Sequence, residues 1–257
     1  MREKIHIPKD HPRYSSLTIR EKLVNGFENG LVAPEGLIAH GRGESFDYLL
    51  GEKTIEPALN AINASSALLL LAKYPVISIN GNTAALCAKE VYELNQVLEK
   101  SSIEINLFYR IRHREKIIAN ELKGYGLQKI LGLDIHDLAE IPELSSNRRK
   151  VDRNGIFVAD VVFVPLEDGD RTIALKKMNK KIICVDLNPL SRTSLTSDIS
   201  IIDNIVRAVP QLIERIEYNK RNCTEKELQD IINHYDNKKA LEDSMDIIRS
   251  SNKLNEI

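Results

Sequence analysis

The residues best suited to chemistry form two polar clusters in the second half of the chain. The first, residues 167–172, holds three carboxylates and an arginine, and the second, residues 186–193, holds an aspartate, an asparagine and an arginine. Each cluster follows a short β-branched run, at residues 161–164 and 181–185, and residues 171–178 could form about two helical turns. This order predicts a βαβ unit. Because ligands of open parallel sheets bind beyond the carboxyl ends of the strands, we expect the binding site at these clusters.

A second candidate site is the segment 31–51, which we expect to be irregular. Glycines on both sides of Arg42 would let the backbone approach a ligand closely, and the guanidinium is a planar fork that suits phosphate. The segment is not a P-loop, because it lacks GxxxxGK[ST], and no GxGxxG motif opens a helix elsewhere in the chain. A plain glycine turn remains the alternative.

A third candidate is the turn Asn-Gly-Asn-Thr at residues 80–83, which follows a predicted strand at residues 76–79. Asn82 or Thr83 could cap the next helix, residues 84–98, and the N-terminus of that helix would attract an anion. An ordinary turn fits the sequence equally well.

The elements that would position these residues alternate along the chain. Such alternation is typical of α/β proteins with a Rossmann-like, open, mostly parallel sheet and flanking helices. The predicted strands are residues 76–79, 103–108, 129–133, 161–164, 181–185 and 199–202. The predicted helices are residues 15–28 with Ser15 or Ser16 as cap, 54–72, 84–98, 112–125, 171–178 and 205–218, the last interrupted by Pro210.

The chain is predicted to have two parts. A Rossmann-like domain with an extended N-terminal arm would occupy residues 1–218, and a charged helical extension would follow at residues 219–257. Residues 141–155 link the two alternating halves, and their charge run at residues 148–150 is expected to be a solvated loop. Arg20 lies off the apolar stripe of the first helix, which is typical of a solvated charge.

Composition opposes several functional classes. The 36 basic and 37 acidic residues leave a net charge of −1, so no global electrostatic case exists for nucleic acid or membrane as partner. The longest apolar run, residues 67–72, is too short to span a bilayer, and the N-terminus lacks a signal-peptide core. We therefore expect a cytoplasmic protein. The three cysteines lack CxxC spacing, which indicates neither a disulfide framework nor structural zinc, and Cys184 is expected in the core.

Several long strings agree in order and approximate spacing with one known family. They are IPK at 7–9, HPRY at 11–14, REK at 20–22, GLIAHGRGE at 36–44, FDYLLGE at 46–52, SINGN at 78–82, VPLEDGDRT at 164–172 and DLNPLSRT at 186–193. On these strings the chain resembles, over about residues 7–214, the archaeal-type phosphopantothenate synthetases, which are 4-phosphopantoate:β-alanine ligases. The tail beyond about residue 218 carries no such string.

The resemblance implies a homodimeric, Rossmann-like ligase of coenzyme A biosynthesis. Such an enzyme joins 4-phosphopantoate to β-alanine and splits ATP into AMP and diphosphate. Carried over residue by residue, the implied ATP contacts are Arg20, Arg42, Asp186, Leu187, Asn188, Arg192, Thr193, Asn204 and Ile205. Arg20 and Arg42, a surface charge and a possible ligand group on composition alone, thereby become expected phosphate-binding residues.

The implied reaction needs cations rather than a side-chain nucleophile. A carboxylate is a poor acyl donor, so we expect 4-phosphopantoate to attack the α-phosphorus of ATP, which gives an acyl-adenylate that the amine of β-alanine then attacks. Several anions meet in the first step, and arginines together with Mg²⁺ would offset their repulsion. The expected catalytic residues are Arg20, Arg42 and His40, the last as a phosphate ligand or as acceptor of the β-alanine ammonium proton.

The other polar residues receive hypotheses of their own. Asp186 would bind the ribose hydroxyls and Asn188 the adenine edge. Asn80 and Asn82 would receive the phosphate of 4-phosphopantoate. The three acidic residues of the first cluster would hold Mg²⁺ or the β-alanine ammonium, or form a solvated turn: Glu167, Asp168 and Asp170. The sequence does not identify the metal ligands.

Two other functions remain as alternatives. One is a Rossmann-like sugar-phosphate or dinucleotide enzyme, which the absence of GxGxxG opposes. The other is a non-catalytic ATP-binding sensor, which fold-level reasoning cannot separate from a synthetase. For the implied dimer, we expect the N-terminal arm and the apolar helix 56–72 to supply the contact surface.

Overall fold

The computed structural model describes residues 7–142 and 144–250, and its centre is a parallel sheet of five strands. The strands in these residues are β1 (Pro75–Ile79), β2 (Ser102–Ile105), β3 (Leu138–Glu140), β4 (Lys150–Asp152), β5 (Val161–Pro165), β6 (Lys181–Asp186) and β7 (Ile199–Ile202). The main sheet has the spatial order β2-β1-β5-β6-β7 with every neighbouring pair parallel, and β3 and β4 form a separate antiparallel pair. The predicted α/β architecture is confirmed.

Helices cover both faces of this sheet. In the described part of the chain they are α1 (Tyr14–Glu28), α2 (Pro34–Leu49), α3 (Glu56–Leu71), α4 (Gly81–Leu98), α5 (Arg112–Gly124), α6 (Gly169–Lys177), α7 (Arg192–Thr196), α8 (Ile205–Asn222), α9 (Glu225–His234) and α10 (Asn237–Ser250). None of the helices within residues 7–142 and 144–250 is long and apolar enough to cross a membrane.

The sheet is buried on both faces, which explains the β-branched runs seen in the sequence. In β5, Val161 and Phe163 belong to a larger core, whereas Val162 and Val164 belong to a smaller core on the opposite face. Helices α3 and α4 both pack against α8, and the three helices contribute to the larger core. Cys184 of β6 is fully buried, as predicted.

The segment 31–51 is helical, so the expectation of an irregular segment is wrong. Helix α2 begins at Pro34, a position where the missing N–H of proline leaves no hydrogen bond unmade. Gly36, Gly41 and Gly43 all lie within it, and each lowers helix stability by roughly 0.5–1 kcal/mol relative to alanine. Local helix propensity therefore does not predict this helix.

Helix α8 passes through Pro210 without the predicted interruption. Proline removes one backbone hydrogen bond from the helix, but Ala208, Val209 and Leu212 around it are completely buried against the larger core. Tertiary packing therefore outweighs the local penalty. The helix also continues to Asn222, past the predicted division at residue 218, which stays a prediction.

Several predicted boundaries shift. β2 ends at Ile105 rather than at residue 108, and instead of a strand at 129–133 only an isolated bridge joins Leu131 to Glu104. The positive φ of Gly132 turns the chain away at that point. α1 begins at Tyr14, before either predicted serine cap, and of the predicted arm residues 1–6 lie outside the described residues.

Candidate active site

A cavity lies where the order of strands in the sheet reverses. The chain passes from β1 to its neighbour β2 on one side and later returns to β5 on the other side of β1. Ligands of open α/β sheets bind at such a switch point, beyond the carboxyl ends of the strands. The cavity there has a volume of about 420 Å³. The predicted site residues that line it are His40, Asn80, Asn82, Glu167, Asp168, Asp186 and Leu187.

The N-terminus of α4 forms one wall of this cavity. Asn80 caps the helix by accepting a hydrogen bond from the backbone N–H of Thr83 at 3.0 Å, so the predicted caps at Asn82 and Thr83 are wrong. The Asn80 amide also donates to the carbonyls of Pro165 and Leu166, which fixes the end of β1 against the end of β5. A structural role thus accounts for every polar atom of the Asn80 side chain.

A buried ion cluster forms the floor beneath the loop that follows β5. Glu167 is paired with two arginines, Arg148 and Arg171, and Arg148 also donates to Asp168 at 2.7 Å. Arg171 is completely buried and donates to the hydroxyl of Ser78 at 3.1 Å. Burial lowers the pKa of both arginines to about 10, so both stay charged at neutral pH. The carboxylate of Glu167 is therefore held by the protein itself.

Arg148 lies in a short 3-10 turn (Asn147–Arg149), and the expectation that it belongs to a solvated loop is wrong. Asn106 donates to its backbone carbonyl at 3.3 Å, and the side chain reaches carboxylates about twenty positions further along the chain. No local sequence pattern marks such a partner. Asp170, in contrast, is exposed and pairs with Arg192 at 2.8 Å on the outer surface.

The loop after β6 forms the opposite wall. Asp186 accepts hydrogen bonds from the backbone N–H of Asn188 at 3.0 Å and from the hydroxyl of Ser191 at 2.5 Å, and burial raises its pKa. Ser191 caps the short helix α7. Thr193 donates to the carbonyl of Glu167 at 3.0 Å, so the two polar clusters adjoin in space as the sequence predicted.

Helix α2 runs across the carboxyl ends of the strands and closes the cavity from outside. Near β1, the carbonyl of Gly36 accepts from Asn82 at 2.8 Å. Further along, a Cβ at Gly43 would lie 3.5 Å from Leu187. At the far end, Asp47 accepts from Asn204 at 2.9 Å.

Asp47 is buried and also pairs with Arg207 at 2.5 Å, and this arginine holds Asp203 at 2.6 Å. The link anchors α2 to the start of α8. Sequence reasoning missed it, because the partners lie 160 positions apart. The side-chain amide of Asn204 donates to Asp47 and is therefore used within the protein. Ile205 is 1% exposed, so a ligand would contact it through its backbone.

The three expected catalytic residues differ in their surroundings. Arg20 on α1 donates its Nε to both oxygens of Glu44, at 2.7 and 2.9 Å, which raises its pKa. Arg42 on α2 is exposed, and within the described residues no side chain pairs with it. Neither arginine lines the cavity. His40 does line it, and burial lowers its pKa. Its Nε2 atom is buried and has no hydrogen-bond partner among the residues that the structure describes.

The segment that follows β2 contributes residues that sequence reasoning did not select. Leu107, Phe108 and Tyr109 line the cavity, together with Arg114 from the first turn of α5. The run of basic residues at positions 110–114 is the signal that could have found them. Among residues 7–142 and 144–250, no group of three or more His, Cys, Asp or Glu side chains could hold a metal ion.

This protein has a parallel sheet, a cavity at its switch point and a polar loop after each of β5 and β6, which is the arrangement in which α/β proteins bind small molecules. Residues 57–251 match the family model described as phosphopantothenate/pantothenate synthetase. The chain belongs to this family. The resemblance found in the sequence strings is thereby confirmed.

Curated relatives support the same assignment. Proteins named 4-phosphopantoate–β-alanine ligase from Thermococcus kodakarensis and Thermococcus onnurineus are 53% and 54% identical over 246 and 245 residues, each match covering 95% of this chain and 93% of the relative. A protein of the same name from Methanosarcina mazei is 48% identical over 243 residues, covering 95% of this chain and 94% of the relative.

Proposed function

We propose that this chain is an ATP-dependent ligase that joins 4-phosphopantoate to β-alanine in coenzyme A biosynthesis, and that the switch-point cavity is its active site. The observation that carries the proposal is the match, over nearly the whole chain, to relatives of that name at 47–54% identity. The cavity adds independent support, because its volume of about 420 Å³ lies within the range of small-molecule sites.

We place ATP between α2 and the loop that follows β6. Gly43 of α2 packs against Leu187, so Arg42 stands one residue from the point where α2 meets this loop. Asp186 ends β6 at the position where carboxylates of such folds commonly bind ribose hydroxyls, and Asn188 would read the adenine edge. The N-terminus of α8 completes the proposed ATP site. The remaining contacts in this proposal are Arg20, Arg192, Thr193, Asn204 and the backbone of Ile205.

The chemistry proposed for this site has two steps. The carboxylate of 4-phosphopantoate attacks the α-phosphorus of ATP, a P–O bond forms, and diphosphate leaves with the electrons of the broken P–O bond. The amine of β-alanine then attacks the acyl carbon, and AMP leaves. Arg20 and Arg42 would stabilise the charge that develops on the phosphates in the first step.

The second step requires the ammonium of β-alanine to lose a proton. His40 lines the cavity, and its lowered pKa keeps the imidazole neutral at pH 7, which suits a proton acceptor. Asp168 accepts from Arg148 with one oxygen and from the backbone N–H of Arg171 with the other. Because it is still partly exposed at the cavity, it is the acidic residue best placed for the ammonium. Glu167, already held by two arginines, is assigned a structural role.

The residues present suit Mg²⁺ only as a companion of ATP. Mg²⁺ bound to nucleotide phosphates keeps several waters and takes one or two protein carboxylates, so no dedicated cluster is needed. Asp168, proposed above for the ammonium of β-alanine, is the alternative ligand for this ion, because it lines the cavity and is partly exposed. Bound there, the ion would neutralise phosphate charge and favour attack at the α-phosphorus.

We also infer a cytoplasmic homodimer in which helix α3 is not the contact surface, while the predicted contact through the N-terminal arm stays a prediction. Helix α3, the predicted contact helix, lies inside the subunit between α8, α9 and α10, and most of its apolar residues are buried there. Exposed apolar residues occur instead on α2, where Ile38 is 68% exposed and Tyr48 56% exposed. This face is our candidate for the contact between subunits.

Product analysis with omission of each component tests the proposed reaction. The purified protein is incubated with ATP, Mg²⁺, 4-phosphopantoate and β-alanine, and we expect AMP and 4′-phosphopantothenate together, only in the complete mixture. ADP in place of AMP would contradict the adenylate step. ATP binding without consumption would favour the sensor, and binding of NAD in place of ATP would favour a dinucleotide enzyme.

A variant tests the placement of ATP. Arg42→Ala should raise the KM for ATP roughly tenfold to a hundredfold, the size of one charge-assisted hydrogen bond. Arg249→Ala, which removes an exposed arginine from α10, should leave the KM unchanged. An unaltered KM in both variants would remove Arg42 from the site.

A further inference from the structure

The cavity extends between two ends of different chemical character. At one end, where we place the nucleotide, lie Asp186, the last residue of β6, and Leu187. At the other end lie Leu107, Phe108 and Tyr109, which follow β2. Three strand spacings separate β2 from β6, which is roughly 14 Å at about 4.8 Å per spacing. A nucleotide bound at the loop that follows β6, which we call the nucleotide loop, therefore leaves the β2 end of the cavity free for a second molecule.

The β2 end contains an arginine whose charge is not balanced by a carboxylate. Arg114 is half-buried on the cavity wall, and its only hydrogen bond to a described residue is a long one, 3.4 Å, to the carbonyl of Tyr109. Its neighbour Arg110 pairs with Glu115 at 2.6 Å. The other arginine on the wall, Arg148, already pairs with two carboxylates.

The position of Arg114 in its helix adds to this imbalance. Helix α5 begins with Arg112, His113 and Arg114, three groups that are positive when protonated, at the end of the helix that carries the positive partial charge, and Glu115, the carboxylate of this first turn, already pairs with Arg110. Cations at this end destabilise a helix, and an anion bound there offsets the effect. Because Arg114 is the member of this trio that faces the cavity, an anionic group of the ligand would bind beside it.

An apolar surface lies beside the arginine. Leu107 and Phe108 from the segment after β2, and Leu166 from the loop after β5, all line the cavity. Phe108 is 45% exposed and packs edge to face on Tyr109, with ring centroids 4.9 Å apart. An exposed aromatic ring in a cavity is a suitable contact for a branched aliphatic group.

We propose that Arg114 binds the 4-phosphate of 4-phosphopantoate and is the residue that distinguishes it from unphosphorylated pantoate. The two methyl groups on the next carbon of the substrate then contact Phe108 and Leu166. The carboxylate at the far end of the four-carbon chain faces the nucleotide loop at Asp186 and Leu187. This assignment rests on the proposed ligase function and adds to it an orientation of the substrate.

The test compares two acyl substrates in the variant Arg114→Gln. We expect kcat/KM for 4-phosphopantoate to fall roughly tenfold to a hundredfold, as for loss of one charge-assisted hydrogen bond, while kcat/KM for pantoate and the KM for ATP stay unchanged. Arg112→Gln is the matched control, because Arg112 lies in the same helical turn but is exposed and does not line the cavity. The preference of the Arg112→Gln variant for 4-phosphopantoate over pantoate should equal that of the wild type.

The outcomes separate the assignment from the function. Equal losses on both substrates, or no loss on either, would overturn the role of Arg114. If the wild type forms an amide from neither substrate, the proposed function fails, and the assignment fails with it. Should Arg114→Gln not fold, Arg114→Lys decides. Lysine lacks the planar guanidinium fork, so the preference for 4-phosphopantoate over pantoate should fall, and a full wild-type preference in this variant would overturn the role of Arg114.

Discussion

Replacing Arg171 by methionine should destabilise the protein by about 3 kcal/mol. Arg171 is completely buried, pairs with Glu167 and donates to Ser78 at 3.1 Å. Breaking a buried ion pair costs roughly 3–5 kcal/mol because a charge stays behind without its partner. Glu167 keeps Arg148, so the lower end of that range applies. Against a total stability of roughly 5–15 kcal/mol for typical proteins, the effect is large.

Urea denaturation followed by circular dichroism measures this loss, and the m-value should stay constant. The control is Arg192→Met, which breaks an exposed ion pair between Arg192 of α7 and Asp170 of α6. The two side chains are 67% and 65% exposed, so this pair should contribute under about 1 kcal/mol. If Arg171→Met costs no more than Arg192→Met, the ion cluster does not stabilise the fold as described.

Two further predictions concern stability. Burial raises the pKa of Glu104 to about 7 from the ordinary 4.5, so between these pH values the folded state binds more protons than the unfolded state. The free energy of unfolding should therefore fall as pH rises from 4.5 to 7. The expected fall is about 3 kcal/mol, because the shift of 7 − 4.5 = 2.5 corresponds to about 1.36 kcal/mol for each pH unit. Glu104→Gln should lack this decline in thermal or urea denaturation between pH 4.5 and 8, and an identical decline in the variant would mean that another group titrates. Gly81→Ala should lower the free energy of unfolding by about 1–3 kcal/mol, since a Cβ there would overlap the carbonyl oxygen of Leu31. Gly41→Ala, where no atom lies within 4 Å of a new Cβ, should raise it by roughly 0.5–1 kcal/mol, and equal effects of the two glycine variants would contradict this reasoning.

The sequence predicted the sheet well because parallel strands buried on both faces must be β-branched runs. The runs at β1, β5, β6 and β7 are short, apolar and bounded by polar residues, so their positions could be read within a residue or two. The polar residues after β5 and β6 could be located for the same reason, since they stand at the ends of those strands. The sequence strings shared with the family could also be recognised, because they depend on residue order alone.

Helix α2 could not be read in this way. Its glycines disfavour helix locally, and the contacts that hold it come from residues far apart in the chain, Asn82 after β1 and Asn204 after β7. The placement of Arg42 on a helix, and of His40 against the cavity, follows from that packing alone. Local preference is a weak guide wherever tertiary contacts supply most of the stability.

By itself, the sequence determined the fold class, the order of the strands along the chain, the family and the two polar loops that adjoin at the cavity. Only the tertiary structure decided which charges are used within the protein and which face a ligand. Arg148 and Glu167, nineteen positions apart, neutralise each other in the interior, while Arg114 reaches the cavity without a carboxylate partner among the described residues. Such pairings depend on which strands become neighbours, and burial makes them strong, so no local pattern of residues can reveal them.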